Sequence, residues 1–219
     1  MNERTRTVLL GIGALAAIAL VAGALWTSQA KRASRGGWEE KPLEGLQVFG
    51  QVPPFKLTER SGAWVTEADL KGRVSVVNFI YTNCPDTCPL QSAEMRNLQE
   101  EFDPSRPVRF VSITVDPQRD TPQVLQKYAA RFKADPKRWL FLTGKEDEIR
   151  RLAEEGFHLS AAEIPEAKRP ASGATHAHSP RFVLLDREAR IRGYYASTDK
   201  EALARLRRDA RSLLDGSSQ

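Results

Sequence analysis

The sequence predicts a mixed α/β domain with a central sheet covered on both faces, and three observations carry that expectation. Val74 to Tyr81 and Val108 to Val115 are apolar with almost no alternation, as in strands buried on both sides. Met95, Leu98 and Phe102, with Gln91 a turn earlier, and then Leu125, Tyr128 and Phe132, recur at helical spacing. The two cysteines of the chain stand where the first of these strands gives way to the first helix, in Asn83-Cys84-Pro85-Asp86-Thr87-Cys88-Pro89.

Each element follows from local chemistry. Phe55-Lys56-Leu57 and Trp64-Val65 flank Glu59-Arg60-Ser61-Gly62, a hairpin whose glycine supplies the turn dihedrals. A helix is expected from Pro89 to Phe102. Thr121 caps and Pro122 opens the next, which ends near Lys133. Trp139 to Leu142 reads as a short strand and Glu146 to Glu155 as a helix stopped at Gly156. His158 to Ser179 shows no periodicity, reads as a long loop, and contains all three histidines. Arg181 to Leu185 and Ile191 to Tyr195 pair about the turn Asp186-Arg187-Glu188-Ala189. Thr198 and Glu201 form a capping box for a last helix with Leu203, Leu206, Ala210 and Leu213 inward. Strand, helix, strand, helix, hairpin and closing helix is the order of a thioredoxin-like fold, here with an N-terminal β-hairpin extension.

Ahead of this domain, expected over residues 51–215, the chain is of a different kind. Residues 1–7 are a short tail, and Val8 to Trp26 carries no charge and is long enough to cross a bilayer at ~1.5 Å per residue. The reading is a transmembrane helix; the alternative is a signal peptide cut after Ser28-Gln29-Ala30, although the apolar run exceeds the usual signal core. Residues 27–50 are polar and Gly-containing, a linker, and residues 216–219 a C-terminal tail. No transit peptide fits ahead of Met1, so the expectation is a single-pass protein of a bacterial plasma (inner) membrane with its domain on the extracytoplasmic, periplasmic side. The net charge of +5 does not indicate nucleic acid, because basic and acidic residues interleave, as in Lys145 to Glu155.

Function centres on the cysteines. A bridge between Cys84 and Cys88 would close a loop of a few residues and remove little chain entropy, so a structural staple is the weaker reading. Two thiols can instead exchange with a disulfide or hold a soft metal. The Cys-x-x-x-Cys spacing is wider than that of dithiol reductants and can open toward copper, as Cu(I) or Cu(II), if a third ligand comes from elsewhere. His178 is the candidate, since His178-Ser179-Pro180 precedes the strand Arg181 to Leu185, and in a thioredoxin-like fold a proline there, often cis, faces the thiols. Pro180 fills that position. His176 reads as a solvated residue or an auxiliary metal ligand, and His158 as a surface or half-buried one. A closed structural zinc site lacks its fourth ligand, and a peroxidase would need a distant resolving cysteine.

Phe55-Lys56-Leu57-Thr58 with Gly62 and Gly72, Tyr81 to Pro89, Val115-Asp116-Pro117-Gln118-Arg119-Asp120-Thr121-Pro122, and His178-Ser179 together resemble the Sco/SenC family of membrane-tethered, thioredoxin-like proteins of cytochrome c oxidase assembly. The resemblance covers about Phe55 to Leu214. It implies one copper held by Cys84, Cys88 and His178, and a metallochaperone that passes it to the copper-bearing subunit of the oxidase, at its binuclear centre. Another copper chaperone or a thioredoxin-like reductant would be further partners. It equally allows a thiol-disulfide oxidoreductase in which Cys84 attacks and Cys88 resolves. Asp86 either tunes thiol acidity or caps the following helix. Asp116 and Asp120 read as turn and capping residues, with Arg119 paired to one of them. Leu90 and Ala177 occupy places where the family has acidic residues.

Overall fold

A computed structural model describes residues 46–85 and 87–216, apart from the side chains of residues 162, 177 and 178. The expected membrane span over residues 8–26 lies outside these, and no helix among the described residues is long and apolar enough to cross a membrane.

Ten strands and four α-helices lie among the described residues. The strands are β1 (Gly50–Gln51), β2 (Lys56–Glu59), β3 (Trp64–Thr66), β4 (Val74–Ile80), β5 (Val108–Thr114), β6 (Trp139–Thr143), β7 (Ala161–Glu163), β8 (His176–His178), β9 (Arg181–Leu185) and β10 (Arg190–Ala196). The helices are α1 (Thr87–Glu101), α2 (Pro122–Arg131), α3 (Glu146–Arg151) and α4 (Lys200–Asp215). Eight strands form one sheet in the order β1-β10-β9-β4-β5-β6-β2-β3. β4, β5 and β6 run parallel, while β9 lies antiparallel to β4. This is the mixed α/β, thioredoxin-like arrangement that the order of elements predicts, with the β2–β3 hairpin added beyond β6.

All seven residues of β4 are buried, the physical meaning of its unbroken apolar run. α4 packs on β10 and β4, and α2 packs on β6. Phe79 meets Phe157 edge to face at 5.5 Å, and Tyr128 of α2 meets Phe141 of β6 at 6.2 Å. In the hairpin turn Gly62 takes φ 89°, a dihedral that disfavours any side chain.

The structure departs from the expectations in four places. Chain packing starts upstream of residue 51, within the expected linker: Leu46 and Phe49 lie against the core, and the Phe49 N–H donates to the Ile191 carbonyl at 2.8 Å. The helix from Glu146 loses its α geometry at Leu152 and closes with a wider π turn, Leu152–Gly156. The segment read as one long loop is an arm, in which β7 and β8 pair antiparallel across a 3₁₀ turn at Glu166–Lys168. Strands of three residues are too short to display a period. The last helix is capped by Asp199, whose carboxylate accepts the Glu201 N–H at 2.8 Å, and not by Thr198; with two capping residues adjacent, spacing alone favours the wrong one.

Candidate metal and thiol site

β4 delivers the chain to the site. After Ile80 it turns once, the Cys84 N–H donating to the Tyr81 carbonyl at 3.2 Å, and enters α1 so that Cys88 lies in the first turn of the helix. Both cysteines are thiols, not bridged, and buried, Cys84 at 9% exposure and Cys88 at 0%. A helix N-terminus ordinarily favours a thiolate. Here the side-chain hydrogen bond with Cys84 and burial both push the Cys88 thiol up, so it carries its proton. The two thiols therefore face each other in an enclosed, largely apolar setting, with Cys84 the more accessible.

Tyr81 closes one side. It is 1% exposed, and burial together with the Cys84 thiol at its hydroxyl raises the phenol to about 12. The His176 ring packs on the Tyr81 ring with centroids 5.3 Å apart, and its Nδ1 lies 3.0 Å from Thr175 Oγ1. The expectation of a solvated His176 is thereby corrected. It is half-buried, stands opposite Glu163 across the arm, and lines a cleft of about 120 Å³ with Asp116, Arg119 and Arg169. β8 is thus placed over the residue that precedes the cysteine loop.

His178 lies on the same strand, its backbone paired with Ala161, and its side chain is outside the described residues. Ser179 N–H donates to the Ser160 carbonyl at 3.2 Å, which fixes the base of the arm. Gln91, one turn after Cys88, reaches the Arg181 carbonyl at 3.5 Å and so brings the start of β9 to the cysteine helix. Pro180 is exposed and its carbonyl accepts from Ser197 N and Oγ at 2.9 and 2.8 Å. None of the described peptide bonds is cis. Asp86 lies outside the described residues. His158 is exposed, at φ 51°, just past the π turn. Among the described residues no three His, Cys, Asp or Glu side chains gather as a metal group.

The residue that sequence reading undervalued is Asp120. It is fully buried and accepts three donors: Thr82 N–H at 3.0 Å, Thr82 Oγ1 at 2.5 Å and Thr114 Oγ1 at 2.5 Å. Burial raises its carboxyl, against the opposing pull of those hydrogen bonds. Asp116, by contrast, is the turn residue expected, with Arg119 Nε 3.6 Å from its carboxylate.

Known proteins resemble this chain in sequence and fold. The SCO1/SenC family model matches residues 47–212. The SCO1 protein homolog of Bacillus subtilis is 32% identical over 143 residues, 64% of this chain and 71% of that one. The structure of BsSco, a member of the Sco family of cytochrome c oxidase assembly proteins in which a disulfide switch is identified, superposes with a TM-score of 0.63 at 28% identity, covering 77% of this chain and 96% of BsSco. Bradyrhizobium japonicum ScoI, solved with copper bound, gives 0.56 at 31% identity over 73% and 99%. The match runs through nearly every described residue, from the first strand past the thiols and the arm into the last helix, and the chain belongs to the SCO1/SenC family.

Proposed function

We propose that this protein is a copper metallochaperone that holds one copper through Cys84, Cys88 and His178 and delivers it to the copper-bearing subunit of cytochrome c oxidase. The observation that carries the reading is the pair of thiols, hydrogen-bonded to each other where β4 passes into α1. The donor set fits the ion: two sulfurs and an imidazole suit copper, and soft thiolates favour Cu(I). Copper entering as a thiolate complex displaces the thiol protons, so uptake releases protons. The contact of β8 with Tyr81 and the Gln91–Arg181 link support His178 as third ligand, because both bring its neighbourhood to the cysteines. In this reading the run Val8 to Trp26 anchors the domain on the outer side of a bacterial plasma membrane, where the oxidase subunit is met.

The difference in exposure between the thiols favours one second reading, a thiol-disulfide oxidoreductase. Cys84, the accessible thiol, would attack a partner disulfide, and Cys88 would displace the partner by forming the Cys84–Cys88 bond, leaving the partner's two thiols reduced.

The deciding experiment is copper stoichiometry and the thiolate-to-copper absorption band of the reduced chain beside His178→Ala. One copper per chain, lost or greatly weakened in the variant, is the expected result. Equal binding in both removes His178 from the site, and no copper in either makes dithiol exchange the function.

A further inference from the structure

The thiols can work as a pair only if the turn that presents Cys84 is held, and the residue holding it lies far away in sequence. We propose that Asp120 is the positioning residue of the thiol pair, a buried carboxylate that ties the Thr82 turn to the end of β5. The proposal deepens the reading of Cys84 and Cys88 as working groups and rests on it.

Thr82 is the first residue of the turn closed by Cys84 N–H on the Tyr81 carbonyl. Both its backbone N–H and its hydroxyl donate to Asp120, which therefore fixes the turn through two bonds from behind. Asp120 is itself anchored. Its own N–H donates to the Asp116 carbonyl at 2.9 Å, it precedes the Thr121 cap of α2, and its carboxylate takes the Thr114 hydroxyl, which in turn accepts Asp116 N–H at 3.0 Å. The three groups converging on Asp120 all act as donors. A carboxylate accepts all three, whereas an amide offers one oxygen and turns an NH₂ toward a hydroxyl. The β5–α2 connection thus sets where the β4–α1 connection places its first sulfur. A capping role would need none of this, since Thr121 caps α2 with its own hydroxyl on Val124 N–H at 3.4 Å.

The test compares the full reduced chain with Asp120→Asn, Thr82→Val and the double variant. Readouts are the rate of Cys84 alkylation by iodoacetamide, the midpoint potential of the Cys84–Cys88 couple, and copper retention, with thermal unfolding as the control for stability. The expected result is a Cys84 rate raised about tenfold and copper affinity lowered about tenfold in each single variant, as when a partner that orients a ligand is removed. The midpoint potential shifts in the same variants. The double variant should match Asp120→Asn, because the Thr82 hydroxyl acts on the turn only through Asp120. Wild-type alkylation rate and potential in Thr82→Val overturn the proposal, as does Asp120→Asn losing stability alone. Should Asp120→Asn fail to fold, Thr82→Val still decides. A wild-type chain that holds no copper defeats the metallochaperone reading separately, while alkylation and potential continue to judge Asp120.

Discussion

Two buried carboxylates occupy opposite ends of the sheet, and their partners differ in kind. Asp120 sits beside the thiols among hydroxyls and an N–H. Asp186 sits in the β9–β10 turn, at the end where Leu185 pairs with Ser75 and so remote from the cysteines. It accepts Arg190 Nε at 2.8 Å and Arg192 Nη1 at 2.9 Å, together with two backbone N–H groups of its own turn. Arg192 passes the connection on to the Gln47 and Leu46 carbonyls at 3.2 and 2.6 Å. Burial alone would raise the Asp186 carboxyl, but the Arg190 N–H and the two guanidinium groups hold it below its ordinary value. One end is clamped by neutralised charge; the other carries a carboxylate that nearby dipoles only partly stabilise. The end that carries the thiols is the one where electrostatic stabilisation is incomplete.

Arg192 is the costlier of the two anchors to lose. Removing one partner of a buried ion pair strands the other, so Arg192→Ala should cost about 3–5 kcal/mol in chemical denaturation and loosen residues 46–51. A loss under 1 kcal/mol would mean that Asp186 is satisfied by its backbone donors. Asp120→Asn should cost less, about 1–3 kcal/mol, through imperfectly satisfied hydrogen bonds. If it costs more than Arg192→Ala, the ranking of the two ends is wrong.

Their pH dependences should have opposite signs. Asp186 is depressed below 3.8, so its stabilisation is present above that value and is lost as pH falls through the folded pKa. Asp120 is raised above 3.8, so its contribution is greatest below that value and declines as pH rises through the folded pKa. Unfolding temperature against pH for Asp186→Asn should therefore lose part of the wild-type acid sensitivity. For Asp120→Asn, the deficit relative to wild type should shrink as pH rises above about 4. The same sign in both variants would refute the contrast.

The smallest effect tests whether burial or the number of ion pairs matters. Arg207 of α4 engages both Glu94 and Glu101 of α1, as many ionic partners as Asp186 has, but its side chain is 21% exposed. Arg207→Ala should cost only about 0.5–1 kcal/mol and become less costly in high salt. A cost near that of Arg192→Ala would show that pair number outweighs burial.

Sequence reading recovered what is local and missed what is not. β4, β5, the cysteine turn and the amphipathic stripes of α1 and α2 follow from periodicity and neighbouring residues. Asp120 read as a turn or capping residue because Thr82 is 38 positions away, and nothing in the intervening sequence marks the pair. Arg192 similarly has its carbonyl partners 145 and 146 positions away. The arm escaped notice because each of its strands has three residues, and the position of His176 against Tyr81 depends on that arm folding back. For the site, the two sulfurs were legible in the motif, whereas the scaffold that aims them is a property of long-range contacts.

The ends of the strand order also bear on how other proteins are met. β1 offers two residues at one edge and β3 three at the other, where Lys56 Nζ rests 4.6 Å from the centre of the exposed Trp64 ring. Such brief borders give a foreign strand almost no ladder to extend, and the nearby lysine charge discourages stacking of flat sheets. Recruitment by strand addition is thereby disfavoured. Under the proposed function a client would meet the loop end of the fold instead, the end where β4 passes into α1 and the thiols lie.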